Sequence, residues 1–346
     1  MVSINCITYN HEKYIADAIE SFLMQKTDFN FEILIHDDAS TDRTPEIIKE
    51  YQEKYPDIVK PIYQKENQYS KGIKMCYEFN NKRAKGKYIA VCEGDDYWTD
   101  PYKLQKQIDF MESHEDCTLC FHNAEVVKTN GEKIGKLHVP WSVHNSRYYY
   151  GKNTIYEAGE MALLDFIPTA SLVYPKHLMN NPPDWYMSSI VGDAPLRLIL
   201  TSYGYAYYID EVMSAYRTGV EGSSTDRAKI ENKDVSKQIY RLRRHIDIID
   251  NFDKYTKYKY SNQLDEAKIV WEVRILVLEK KTKELKKQRY KEYYDELCKK
   301  GKIALYARCY FPNIYQQLAN IKSYFKKSLY NFKKSRSSPY NGVKRK

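Results

Sequence analysis

The sequence predicts an α/β protein with a mostly parallel sheet covered by helices on both faces. Three observations predict it. Short continuous apolar runs alternate with stretches whose apolar residues recur at helical spacing, as βα units require. Two of these runs end in acidic clusters, where strands of such a sheet present their carboxyl ends to ligands. The charge also changes sign along the chain: residues 228–346 hold 31 Lys+Arg against 13 Asp+Glu, and residues 1–227 hold 24 against 33. A net +18 thus follows a net −9, which divides an α/β region of 1–227 from a helical, Lys-rich region of 228–346 suited to an anionic partner.

The elements follow in order. Val2–Ile7 reads as a strand, and Ile15, Ala18, Ile19, Phe22 and Leu23 mark a helix within 12–24. FEILIH is a buried strand, and Thr44-Pro45 then opens a helix with Pro in its first turn. KPIYQ is a third strand, 71–84 a helix, and YIAVC a fourth strand ending at Glu93, Asp95 and Asp96. Pro101 opens the helix PYKLQKQIDFMES, and Asn130-Gly131 in TNGEK marks a hairpin. Residues 136–158 have no period, and a long irregular segment in a compact domain is often a binding loop. Strand-like TASLVYP, helical APLRLILTSYG and strand-like YAYYIDEVMSAYR complete the first region. In the second, Leu264, Ala267, Trp271, Ile275 and Leu278 form one helical stripe. Ile314, Leu318, Ile321, Phe325, Leu329 and Phe332 form another, flanked by lysines, that fits either a core or an anionic membrane surface.

Composition excludes several classes. With 42% hydrophobic residues, 13 Gly and 12 Pro in 346 residues, the chain is neither collagen-like nor disordered. No stretch approaches the ~20 apolar residues of a membrane-spanning helix, and MVSINCITYN lacks the features of a signal peptide. Seven cysteines without framework spacing point to a reducing cytoplasm. Cys117 and Cys120 form a CxxC, but within an apolar run and without a second pair. No nucleic-acid reading motif is present.

Two acidic clusters at strand ends suit a nucleotide and a hard divalent cation such as Mg²⁺ or Mn²⁺, bridged to phosphate oxygens. By spacing alone EGDD is equally an acidic turn or helix cap. In combination, ITYN, then EILIHDDASTD, then GKYIAVCEGDDYWTDPYKL resemble the family-2 glycosyltransferases of the GT-A fold over about residues 1–220. The resemblance implies a mixed GT-A sheet, a nucleotide-sugar donor (a UDP-sugar above all) and Mn²⁺ or Mg²⁺. It implies that Ile7 and Tyr9 border base and ribose, and that Asp38, with Asp37 beside it, hydrogen-bonds the uracil. Glu93-Gly94-Asp95 stands at the DxD position, so Asp95 and Asp96 become the ribose and metal–diphosphate ligands, with Glu93 a variation. In SSIVGDAPLRLIL, Asp193 takes the general-base position, for which a helix N-cap is the alternative. Thr169, Ala170 and Ser171 match the segment near the acceptor. Trp98 and Trp185 either stack on sugar faces or pack in the core.

One departure stands out. Relatives often read YRxH after the base helix, whereas this chain reads Tyr216-Arg217-Thr218-Gly219, leaving Arg217 or the EGSST loop to attend the diphosphate. His36, His122 and His144 cannot be assigned that role from sequence. The resulting expectation is an inverting sugar transferase of bacterial surface-polysaccharide synthesis, acting on a glycan or lipid-linked acceptor. It would be cytoplasmic and peripheral on the inner face of the cell membrane through residues 302–346, with a homo-oligomer contact as another use of that region. A nucleotidyltransferase and a non-catalytic scaffold of the same fold are the rivals; the former lacks its Gly-rich phosphate loop here.

Overall fold

The computed structural model describes residues 1–137, 153–164, 166–189, 191–231, 234–297, 299–311 and 314. Most of the irregular segment predicted at 136–158, His144 and most of the second apolar stripe lie outside the described residues. The chain forms two compact units, Met1–Glu231 with Arg244–Ala267, and Asn232–Arg243 with Lys268–Lys346.

The first unit is built on a ten-stranded mixed sheet. Its strands are β1 (Val2–Thr8), β2 (Phe31–Asp37), β3 (Val59–Tyr63), β4 (Tyr88–Val91), β5 (Tyr97–Trp98), β6 (Cys117–Lys128), β7 (Lys133–Leu137), β8 (Thr154–Tyr156), β9 (Val173–Pro175) and β10 (Tyr205–Thr218). They run in the order β3-β2-β1-β4-β9-β6-β10-β5, with β7 beside β6 and β8 beside β10. The first four are mutually parallel; β9 is antiparallel to both β4 and β6, and β5 to β10.

Register places the motifs together. Thr8 pairs with Asp37, and Asn5 with Val91, so ITYN, DDASTD and EGDD emerge from one sheet edge. Backbone bonds extend the β1–β4 ladder beyond the strand, from Cys92 N to Asn5 O (3.1 Å) and from Gly94 N to Ile7 O (2.9 Å). Helices α1 (Ile15–Leu23), α2 (Thr44–Lys54) and α3 (Lys103–Ser113) connect these strands. Ile15, Ile19 and Phe22 of α1 are fully buried, each contributing about 2 kcal/mol. The hairpin expected at Asn130-Gly131 joins β6 to β7, with Gly131 at φ 78°.

Two local expectations are corrected. Residues 71–84 are not a regular α-helix: a 3₁₀ turn at Tyr69–Lys71 precedes a π-helical turn at Cys76–Asn81. Asn80 and Asn81 explain the widened turn, because both insert into β1. Asn80 Nδ2 donates to Asn5 Oδ1 (2.8 Å), Asn5 Nδ2 donates to Asn81 Oδ1 (2.7 Å), and Asn81 Nδ2 donates to the Tyr174 hydroxyl (2.8 Å). A buried polar network so satisfied fixes one register. In TASLVYP only β9 is strand, since Thr169–Ser171 forms a 3₁₀ turn.

After α4 (Ala158–Leu163), the short α5 (Asp184–Met187) and α6 (Asp193–Ser202), strand β10 returns through the sheet to α7 (Ser224–Glu231). Helices α8 (Val235–Tyr255) and α9 (Ser261–Leu278) contribute residues to both units. In the second unit, Val273, Leu285 and Leu305 form a small core with Tyr290, Tyr293 and Tyr294, drawing on α10 (Gln288–Glu296) and α11 (Lys299–Tyr310). No helix among the described residues is long and apolar enough to cross a membrane.

Candidate active site

Beyond β4 the chain turns through Glu93, Gly94, Asp95 and Asp96 before pairing again as β5. A side chain at Gly94 has no room: a Cβ there would lie 2.6 Å from Thr8 Oγ1, 2.8 Å from Thr8 Cβ and 3.1 Å from His11 Nδ1. Glycine therefore lets the acidic turn lie directly on β1. Pairing of Tyr97 with Ala215 and Trp98 with Ser214 brings the other side of the turn against β10.

The three acids gather with ligand oxygens all within 4.8 Å of one another. Asp96 is 1% exposed; its Oδ1 accepts the Arg217 backbone N–H at 2.8 Å, but Oδ2 is buried with no partner. Burial, then Asp95, holds the Asp96 carboxyl well above the usual range. Burial, then Asp95 and Asp193, pushes Glu93 up to about 8. Like charges held this close in a buried setting favour protonation or a bound cation. The orphaned Oδ2 and two neighbouring carboxylates supply hard oxygen donors, so the residues fit a divalent ion such as Mg²⁺ or Mn²⁺.

Asp193 is the first residue of α6, behind Gly192 at the N-cap. Among the described residues its carboxylate accepts no hydrogen bond, and it stands in the first turn of α6 rather than at the cap position. The approach to it is fixed by Lys74, whose Nζ donates to Ser189 O and, at 2.8 Å, to Val191 O. Burial lowers this lysine to about 8, with Cys76 and Asp193 acting in the opposite direction. Lys74 also lies over the Tyr186 ring, 5.6 Å from its centre.

Other expected residues fall differently. Trp98 is not a sugar platform: it is 1% exposed, packs edge-on against Phe22 at 4.8 Å, and donates Nε1–H to Ala170 O (2.8 Å). Ser171 is fully buried and spends its hydroxyl on Pro168 O (2.6 Å), so it is a turn residue rather than an acceptor contact. Thr169 is half-buried on the same turn. Trp185 is half-buried edge-on to Tyr255, and its neighbour Tyr186 is buried, which pushes its hydroxyl well above the usual tyrosine range.

Arg217 is not available to a diphosphate either. Its guanidinium donates to Asp17 Oδ2 and to Asp95 O (2.8 Å) and is sandwiched between Tyr14 and Tyr97, 5.0 and 4.7 Å from their centres. With its side chain 3% exposed, it buttresses the acidic turn from behind.

At the neighbouring strand end, Ile7 is half-buried and Tyr9 exposed. Asp38 is 1% exposed, and its two oxygens accept the backbone N–H of Gln68 (2.7 Å) and Tyr69 (3.1 Å). In this conformation it anchors the 66–69 loop instead of presenting a free carboxylate to a base. Asp37 accepts the Ser40 hydroxyl at 2.5 Å. His36 is buried against Phe79 and Asp38, and His122 is buried in β6. Sequence reasoning missed His11, half-buried beside Thr8 (Nδ1 to Oγ1, 3.1 Å), where burial first lowers its pKa and Asp95 opposes. Its place directly after ITYN, at a strand end facing the glycine of EGDD, was the available signal.

Parallel βα units that end in acidic turns on one sheet edge, with further strands added beyond β4 and β9, are the arrangement of the GT-A fold. Residues 3–169 match glycosyl transferase family 2. Over 244 residues the chain is 35% identical to an uncharacterized protein of Mycobacterium tuberculosis, and the match spans 66% of this chain and 63% of that one. Over 115 residues, 33% of this chain and 43% of the other, it is 39% identical to an Escherichia coli protein named UDP-Glc:alpha-D-GlcNAc-diphosphoundecaprenol beta-1,3-glucosyltransferase WfaP. The chain thus spans less than two thirds of these relatives. Among solved structures, S. aureus TarS 1-349 matches with a TM-score of 0.53 at 16% identity, covering 89% of this chain and 80% of TarS, a likeness of fold.

Proposed function

We propose that this protein is an inverting glycosyltransferase that moves a sugar from a UDP-sugar to a hydroxyl of a glycan or lipid-linked acceptor, in bacterial surface-polysaccharide synthesis. The carrying observation is the acid cluster at the end of β4, where Glu93, Asp95 and Asp96 bring their oxygens within 4.8 Å of one another, with Asp193 opening α6. A base on one side of the donor and an acid cluster on the other are what a single displacement needs.

Asp193 accepts the proton of the acceptor hydroxyl as its oxygen attacks the anomeric carbon. The bond to the diphosphate breaks on the opposite side, and its electron pair leaves with UDP, inverting the centre. Asp95 and Asp96, with Glu93, would hold Mn²⁺ or Mg²⁺. That ion, when bound, supplies positive charge for the departing diphosphate. Arg217 and Gly94 keep the acids in register. The E. coli relative's name, a UDP-Glc:alpha-D-GlcNAc-diphosphoundecaprenol glucosyltransferase, supports the donor and acceptor classes.

The basic second unit holds the enzyme on the cytoplasmic face of an anionic membrane. Ile303, Tyr310, Phe311 and Ile314 are at least half exposed amid a Lys-rich stretch, which supports this reading. Removal of residues 302–346 is expected to release the protein from vesicles containing anionic lipid; unchanged sedimentation would refute the attachment.

UDP release with a panel of UDP-sugars, with and without Mn²⁺, tests the activity. Asp193→Asn is expected to abolish transfer while sparing UDP binding. No turnover of any donor together with no nucleotide binding would overturn the proposal.

A further inference from the structure

With Arg217 sequestered, any cation this chain itself gives the departing diphosphate, beside a bound metal ion, comes from elsewhere. The described residues offer one on α7. Arg227 is exposed and, among the described residues, forms no ion pair and donates its guanidinium N–H groups to no acceptor; the guanidinium lies over the Tyr69 ring, 4.7 Å from its centre. An arginine on an exposed helix face is ordinarily just solvated. Its connections at both ends of the donor cleft distinguish this one.

At one end Tyr69 belongs to the turn anchored by Asp38, through the 3.1 Å bond from its backbone N–H. That is the strand end assigned to the base. At the other end, the first turn of α7 is tied to the acid cluster. Thr225 hydrogen-bonds the side chain of Tyr216 in β10, and the next residue of that strand gives its backbone N–H to Asp96 Oδ1 at 2.8 Å. Ser223 Oγ receives the Asp226 N–H at 3.2 Å and pairs with Thr225 Oγ1 at 3.2 Å, shaping the turn. Helix α7 therefore links the base side to the diphosphate side. It joins β10 through Gly219 and Gly222, whose φ values of 84° and 74° are backbone states that glycine adopts freely. Nothing lies within 4 Å of a Cβ built at Gly222.

We propose that Arg227 is the chain's own cation for the nucleoside-diphosphate group, carried by α7 as a cover hinged at Gly219 and Gly222 and set in place by Tyr69. As the anomeric C–O bond breaks, its electron pair stays on the terminal phosphate oxygen, and the guanidinium fork donates to that oxygen. The assignment rests on the donor reading of the site above.

The test is calorimetric titration of the full chain with UDP and with uridine, each in EDTA and in Mn²⁺, for wild type, Arg227→Ala, Arg227→Lys and Tyr69→Ala. Loss of a charge-assisted contact predicts about 10- to 100-fold weaker UDP binding by Arg227→Ala, with uridine affinity unchanged. Arg227→Lys should recover part of the loss, and Tyr69→Ala should cost less than Arg227→Ala. Thermal melting confirms that the variants are folded. Equal UDP affinity in wild type and Arg227→Ala would overturn the assignment and leave the donor reading standing. An equal loss for uridine and UDP would overturn it too, making Arg227 a structural part of the cover. Failure of the wild type to bind any nucleotide would overturn both.

Discussion

Replacement of Glu93 by Gln should change how stability depends on pH. The Glu93 carboxyl, ordinarily near 4.5, is pushed up to about 8 by burial and then by Asp95 and Asp193. Between those values the folded state holds a proton that the unfolded chain has released. Stability therefore falls as pH rises through the window and levels off above about 8. At about 1.4 kcal/mol per pH unit the full rise corresponds to roughly 4–5 kcal/mol, and solvent reaching this half-buried group reduces the observable part to about 2 kcal/mol. Lys103, lowered by burial to about 7, has the opposite slope at higher pH, so the comparison belongs between pH 5 and 7. Urea midpoints measured there in EDTA should decline for wild type and stay flatter for Glu93→Gln. Mn²⁺ or Mg²⁺ should raise the wild-type midpoint more at pH 8 than at pH 5. Parallel profiles for the two proteins would show that Glu93 does not share the charge of Asp95 and Asp193.

Other perturbations have equally defined outcomes. Gly94→Ala, whose Cβ would meet Thr8 at 2.6 Å, should cost about 1–3 kcal/mol in denaturant titration and weaken divalent-ion binding measured by calorimetry. Ala39, at φ 64°, occupies a conformation disfavoured for a residue with a Cβ; Ala39→Gly should raise stability by about 0.5–1 kcal/mol in the same titration. Lys74→Met removes both donors to the loop before α6. It should lower kcat about tenfold while leaving UDP affinity unchanged, and an unaltered kcat would make the lysine irrelevant to Asp193.

The first four strands were legible because each is a short apolar run whose burial is continuous. Their shared edge followed from the parallel βα rule, and the structure places Thr8 beside Asp37 as that rule requires. The misreadings arose where distant partners decide. The fate of Trp98 depends on Ser214, Phe22 and Ala170, none near it in sequence. Arg217 looked free because its partner Asp17 lies 200 residues away. The π-helical turn needed Asn5, 75 residues before Asn80. For Asp193, sequence left base and cap both open; the structure puts Gly192 at the cap position and Asp193 one residue further on, a shift of one residue that no sequence pattern fixes.

The acid corner itself makes little sense as a stabilising device. Asp96 Oδ2 is buried without a partner, and an unpaired buried oxygen costs about 1–3 kcal/mol, more when charged. The chain has a cation at hand in Arg217, yet directs its guanidinium to the Asp95 carbonyl and Asp17, leaving the three carboxylates to face one another. Gly94 is needed to press this turn onto β1, which further concentrates the charge. A sequence selected only for folding would relieve such a corner with an amide or a lysine. On the function proposed above, an arrangement that keeps the acids together draws its positive charge from outside, and the stabilisation missing from the free chain becomes affinity for what binds there.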